Sequence, residues 1–310
     1  MMELLKTIDE KLVRIEDFED GAWINLVNPT DEEAQYVSEG LKVDIDYIKA
    51  ALDEEESSRI ETDNGNTLII VDIPLAEAKG KAVMYTTLPL GIILTHKCIA
   101  TICLKENPII KDFLDNKIKT FCTFKKTRFI LQMLHKMATK YLQYLKQIDK
   151  ISNNIENKLH RSTKNKELIQ LLELEKSLVY FNTSLKANEI VLEKMMRNES
   201  IKNYPEDTEL LEDVIIENKQ AIEMAKIYSD ILSGTMDAFA SVISNNLNII
   251  MKYLTSITII MAIPTMVSSF FGMNVRIPFE DNPMAFPIIF GVAFFLCAVS
   301  AIFMWKKKMF

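Results

Sequence analysis

Stepping alternately by four and three through the C-terminal part of this 310-residue chain picks out Asp237, Ser241, Ser244, Asn248, Met251, Thr255, Thr258, Ala262, Thr265 and Ser269. Those steps keep returning to one side of an α-helix. Met251 apart, the series is small or oxygen-bearing. Its neighbours Phe239, Val242, Ile243, Leu247, Ile250, Leu254, Ile257 and Ile260 are large and apolar. A soluble coiled coil has the opposite arrangement, with Leu and Ile in the seam. Two arrangements suit the reversed pattern: a close helix–helix contact built on small residues, or several copies of the chain around a water-filled path. The chemistry of the second would be weak oxygen ligation. Hydroxyls and an amide do not strip water from a divalent cation, and Mg²⁺ dehydrates reluctantly. They can hydrogen-bond a hydrated ion through its own water.

The helix that must carry this series is long. Residues 206–263 contain no proline and a single glycine, Gly234, before Pro264 interrupts. At about 1.5 Å per residue the proline-free part extends roughly 85 Å. It begins charged and ends apolar, which takes one helix from cytosol into membrane. Glu223, Asp230 and Asp237 continue the series upstream in steps of seven, as a solvated acidic face or, in a symmetric bundle, as stacked carboxylate rings. Residues 253–271 and 284–305 are uncharged, and each is long enough to cross a hydrocarbon core about 30 Å thick. Gly272-Met273-Asn274 opens the short segment 272–283 between them, placing a backbone turn and a neutral amide oxygen where the first span meets water. Lys252 precedes the first span and Lys306-Lys307-Lys308 follow the second, so the positive-inside rule puts both termini in the cytoplasm and the loop outside. Two spans cannot enclose a pore alone, so the path reading requires an oligomer.

Upstream, residues 1–125 alternate strand-like and helical runs and form a small α+β unit. Trp23-Ile24-Asn25-Leu26 reads as a strand. Thr30 caps a helix beginning Asp31-Glu32-Glu33, a Thr-x-x-Glu capping box. Asn64-Gly65 ahead of Leu68-Ile69-Ile70-Val71 signals a hairpin. Residues 86–94 and 98–104 are further strands, Asp53-Glu54-Glu55-Glu56 marks a helix-to-strand turn, and Pro108 opens a helix. Residues 126–203 lack Pro and Gly. They read as an antiparallel pair of helices broken at Arg161-Ser162-Thr163-Lys164-Asn165.

Composition narrows the function. A net charge of −7 argues against nucleic-acid binding and is compatible with cations. Cys98, Cys103, Cys122 and Cys297 form no C-x-x-C pair and read as reduced thiols, and His96, His135 and His160 are scattered. Phosphate loops, nucleophile elbows and metalloprotease helices are all missing from the sequence, so an enzyme is not indicated.

Gly272-Met273-Asn274 after a first span, a short loop, a second span and a terminal lysine cluster resembles the CorA family of divalent-cation channels. Trp23-Ile24-Asn25-Leu26 with Asn28-Pro29-Thr30 resembles that family's N-terminal domain. Met251-Lys252-Tyr253-Leu254-Thr255 resembles the place where its stalk meets the membrane. The resemblance covers the whole chain. It implies a funnel-shaped homopentamer in the cell membrane, with the first span lining a pore for Mg²⁺ and the second facing lipid. It assigns Asn274 to an outer ring that receives the hydrated ion, Asn248 and Asp237 to inner rings, Leu254 to an apolar constriction and Thr265 to a polar ring in the outer half. It also implies cytosolic Mg²⁺ bound between subunits as a closing signal, with Asp213 as one carboxylate and Glu77 the nearest candidate for the second. Two departures stand out: the usual methionine constriction falls on Ala262 with Met261 adjoining, and Pro264 comes one place late. Alternatives are Zn²⁺ as in the related ZntB proteins, Co²⁺ or Ni²⁺ as cargo, or a non-conducting membrane-anchored sensor.

Overall fold

The computed structural model describes residues 1–79, 82–118, 121–159, 165–197, 205–273 and 284–307. It divides into two compact units, Met1–Thr235 and Met236–Phe310.

The first unit is built on a seven-stranded sheet of order β2-β1-β3-β7-β6-β5-β4. The strands are β1 (Met2–Ile8), β2 (Lys11–Arg14), β3 (Trp23–Val27), β4 (Arg59–Asp63), β5 (Asn66–Lys79), β6 (Ala82–Leu94) and β7 (Ile99–Cys103). Every neighbouring pair is antiparallel except β3 with β7, in which Trp23 lies beside Ile99 and Val27 beside Cys103. These central strands are apolar on both sides because both faces of the sheet are covered. On one face α1 (Asp31–Leu41) and α2 (Ile45–Ala50) close a core of Ile24, Leu26, Val37, Ile48, Leu68, Ile70 and Ile102. On the other, Trp23 is fully buried. Its Nε1 donates to Thr101 Oγ1 at 2.8 Å, and the rings of Phe121 and Phe129 meet it edge-on. Phe113 of α3 (Pro108–Leu114) and Phe129 of α4 (Lys126–Leu159) belong to the same aromatic cluster.

Local chemistry explains the turns. Thr30 accepts from the Glu33 amide while Glu33 returns the bond to the Thr30 amide, completing the capping box. Asn64 and Gly65 take positive φ values of 49° and 79°, as a two-residue type I′ hairpin requires. Asn107 caps α3 by accepting from Ile110 N–H.

β5 and β6 run past their neighbours as a two-stranded ribbon, since β4 pairs only as far as Ile70 and β7 only as far as Leu90. Helices α4 and α5 (Asn165–Arg197) pack against this ribbon. Beyond β4, the backbone of Asp72 finds its partners on those helices. Asn188 Oδ1 accepts from Asp72 N–H and Asn188 Nδ2 donates to Asp72 O, both at 2.8 Å, and Tyr141 Oη donates to the same carbonyl at 2.9 Å. Burial pushes the Asp72 carboxyl above the ordinary aspartate range, against the opposite pull of a hydrogen bond with Ser184.

The long helix α6 runs Pro205–Phe271, about 100 Å, and passes through Pro264 without ending. Its first turns are tied to the first unit by Arg128 with Asp207 (3.2 Å), Thr139 with Glu217 (3.0 Å) and Asn218 with the Leu185 carbonyl (3.0 Å). The final helix, α7 (Ala285–Lys306), is apolar on every side. Both α6 and α7 are long and apolar enough to cross a membrane.

Candidate ion-conduction site

All the candidate positions within the second unit are exposed along α6: Asp237, Ser241, Ser244, Asn248, Met251, Leu254, Thr255, Thr258, Ala262, Thr265 and Ser269. Leu254 stands one residue beside the four-and-three series, next to Thr255. Between Met251 and Phe271 the buried or half-buried positions are Ser256, Ile260, Ile263, Pro264 and Val267. At about 100° per residue this second set lies roughly half a turn around the helix from the oxygen-bearing series. α7 touches α6 on that far side, where the Cys297 thiol donates to the Ile260 carbonyl at 3.6 Å. The apolar face of the span thus meets the second helix, and the polar seam is left uncovered.

Three hydroxyls on the seam are turned back onto their own helix. Ser241 Oγ donates to Asp237 O at 3.0 Å, Thr258 Oγ1 to Leu254 O at 2.8 Å and Thr265 Oγ1 to Met261 O at 3.1 Å. Each proton is turned back on the preceding turn, so lone pairs are what these side chains offer outward. An acceptor surface suits the hydrogens of a cation's water shell and is poorly matched to an anion.

At the outer end Gly272 N–H donates to Ser268 O at 2.9 Å, and Gly272 and Met273 are exposed just past the helix. A Cβ on Gly272 would meet Ser268 O at 3.1 Å. Asn274, the rest of the loop to residue 283, and Lys308 lie outside the described residues.

The two cytosolic candidates are Asp213, exposed on α6, and Glu77, exposed on β5. Glu77 Oε1 is bonded to Lys105 Nζ at 2.7 Å, an engagement that also raises the lysine's affinity for its proton. A cation at Glu77 would have to displace or share that ammonium. Among the described residues no group of three or more His, Cys, Asp or Glu is placed to hold a metal ion. The structure also supplies features that spacing alone did not give. Ser256 is fully buried, one residue from an exposed member of the series, and Cys297 contacts the proline-interrupted turn from another helix.

A mixed α+β unit, a helix that runs from it into a spanning segment, a second span and an uncovered oxygen-lined seam define a two-span membrane protein equipped for ion passage. The sequence matches the family described as "CorA-like Mg2+ transporter protein" over residues 18–308. The cobalt/magnesium transport protein CorA of Methanocaldococcus jannaschii is 29% identical over 280 residues, 87% of this chain and 85% of that protein. The protein of the same description from Thermotoga maritima is 22% identical over 319 residues, 98% of this chain and 88% of that protein. The complete structure of the CorA magnesium transporter from Methanocaldococcus jannaschii superposes with a TM-score of 0.85 at 25% identity, covering 100% of this chain and 99% of that one. The chain belongs to the CorA family of Mg²⁺ transporters, and is a transporter rather than an enzyme.

Proposed function

We propose that this chain assembles as a homopentamer whose α6 helices surround a pore, and that the pore admits hydrated Mg²⁺ passively into the cell. The observation that carries this reading is the uncovered seam from Asp237 to Ser269, backed on the opposite side of the same helix by contact with α7. In this arrangement Gly272-Met273-Asn274 forms the outer mouth, where the Asn274 amides receive the ion with its water. The hydroxyls of Ser269, Thr265, Thr258 and Thr255 then pass it inward by accepting from that water. Leu254 and Met251 narrow the path, and Asn248 and Asp237 receive the ion on the cytosolic side. The absence of charge among the seam residues between Asp237 and Asn274 keeps binding weak enough for release. The driving force is the membrane potential, about 2.3 kcal/mol per charge per 100 mV, doubled for a divalent ion.

Lys252 and Lys306-Lys307 place both termini in the cytoplasm by the positive-inside rule. The curated relatives are described as cobalt/magnesium transport proteins, and we assign Co²⁺ to the same path. Neither His nor Cys occurs in the series, which disfavours a dehydrated soft-metal route. Closure by cytosolic Mg²⁺ is assigned to Asp213, paired across subunits with Glu77. Carboxylates holding a largely hydrated Mg²⁺ fit the exposure of both residues.

The direct test is Asn274→Ala in cells deficient in Mg²⁺ uptake. Growth at low Mg²⁺ and dye-reported influx should both be lost while the protein still reaches the membrane. Undiminished influx would remove Asn274 from the mouth and with it this account of selection.

A further inference from the structure

Pro264 is placed where it removes one backbone hydrogen bond from the membrane-spanning half of α6. A proline has no N–H, so the carbonyl four residues earlier, Ile260 O, loses its helical donor. In hydrocarbon an unmatched carbonyl is costly, and neighbouring helices or side chains commonly supply the missing partner. Here the donor comes from α7: Cys297 Sγ lies 3.6 Å from Ile260 O, at hydrogen-bonding distance for a thiol. Both groups are half-buried, on the side of α6 away from the seam. The interrupted turn carries Met261 and Ala262 before the proline and Thr265 after it, so two members of the seam straddle the break. Thr265 Oγ1 meanwhile donates to Met261 O, the adjacent carbonyl.

We infer that Cys297 is a positioning residue for ion passage: its thiol replaces the backbone donor removed by Pro264 and thereby fixes the angle between the seam segments bearing Ala262 and Thr265. The inference rests on the reading that this seam lines the pore. A helix lacking one internal bond is free to bend at that turn, and the thiol restores the constraint from the second helix. Without it, the rings contributed by residues 262 and 265 lose their common register.

The test is a double-mutant cycle on the full-length protein in proteoliposomes, read as initial Mg²⁺ influx per assembled channel. Cys297→Ala should lower influx about threefold, the effect of an average interhelical hydrogen bond in a membrane protein. Cys297→Ser, which keeps a donor, should restore it. Pro264→Ala returns an N–H to Ile260 O, and in that background Cys297→Ala should change nothing. An unchanged Cys297→Ala influx would overturn the proposal, as would an equal loss with and without Pro264, which would reduce the cysteine to packing. Should Pro264→Ala fail to assemble, the infrared S–H stretch of a variant retaining only Cys297 decides the matter: a hydrogen-bonded frequency supports the inference and a free-thiol frequency ends it. Failure of the pore reading is distinguishable, because a bulky substitution in the seam, Thr258→Trp, would then leave influx unchanged.

Discussion

A threonine inside a helix has two uses for its hydroxyl, and on α6 one of them is already taken. The protons of Ser241, Thr258 and Thr265 are donated to carbonyls one turn back, which leaves oxygen lone pairs on the exposed side. In the proposed pore that orientation would select by polarity as well as size. Thr265→Val keeps the shape and β-branching and deletes the acceptor, and it should slow Mg²⁺ influx by about fivefold, the scale of one hydrogen bond of roughly 1 kcal/mol. Thr265→Ser should retain most of the rate. Equal influx through the valine and wild-type proteins, measured with a Mg²⁺-sensitive dye in vesicles, would show that the hydroxyl contributes only volume.

Elements differed in how plainly the sequence announced them, and for physical reasons. The capping box at Thr30, the Asn64-Gly65 turn and Pro108 at the start of α3 are local chemistry, and each marks its element where the structure has it. The seam was legible because a helical period survives any tertiary context. By contrast β1 and β2 gave little signal: Met2–Ile8 buries three consecutive residues and does not alternate, since that strand is shielded unevenly. The ribbon of β5 and β6 extends well beyond the apolar runs that suggested those strands, because α4 and α5 stabilise its outer part through Asn188 and Tyr141. Pro74 and Pro89 are tolerated within it, opposite Thr87 and Asp72, where the ribbon has lost its outer neighbours. Asp72, on that ribbon, yields a pH effect. Its folded-state pKa is raised by burial, so the folded form holds its proton more tightly than the unfolded chain. That contribution is present below the unfolded value of about 3.9 and disappears as pH rises through the raised folded value. At neutral pH the buried carboxylate is a cost, and Asp72→Asn should raise Tm by about 2–4 °C for each kcal/mol recovered. The gain should shrink as pH falls toward the unfolded value. A gain that held constant across pH would rule out the carboxyl's ionisation as its source.

At the scale of the whole molecule the chain joins two units that answer to different solvents. The first unit holds its apolar residues in a two-sided core. The second exposes Phe286, Phe290, Phe294 and Phe303 around α7, a surface suited to hydrocarbon. The chain contains only two tryptophans, and they fall one to each unit. Trp305 is 72% exposed at the lysine-bearing end of α7, whereas Trp23 is sealed between Phe121 and Phe129 with its indole N–H held by Thr101. The cage around Trp23 therefore makes the protein its own pair of optical probes. Trp23 should emit in the blue, shift red only when the sheet of the first unit opens, and ignore brominated lipid. Trp305 should be quenched by that lipid and stay indifferent to opening of the sheet. Variants with Trp23→Phe or Trp305→Phe separate the two signals, and quenching of Trp23 by brominated acyl chains would contradict the assignment. A single fluorescence titration could then follow the soluble fold and the membrane contact in one sample, without any attached label.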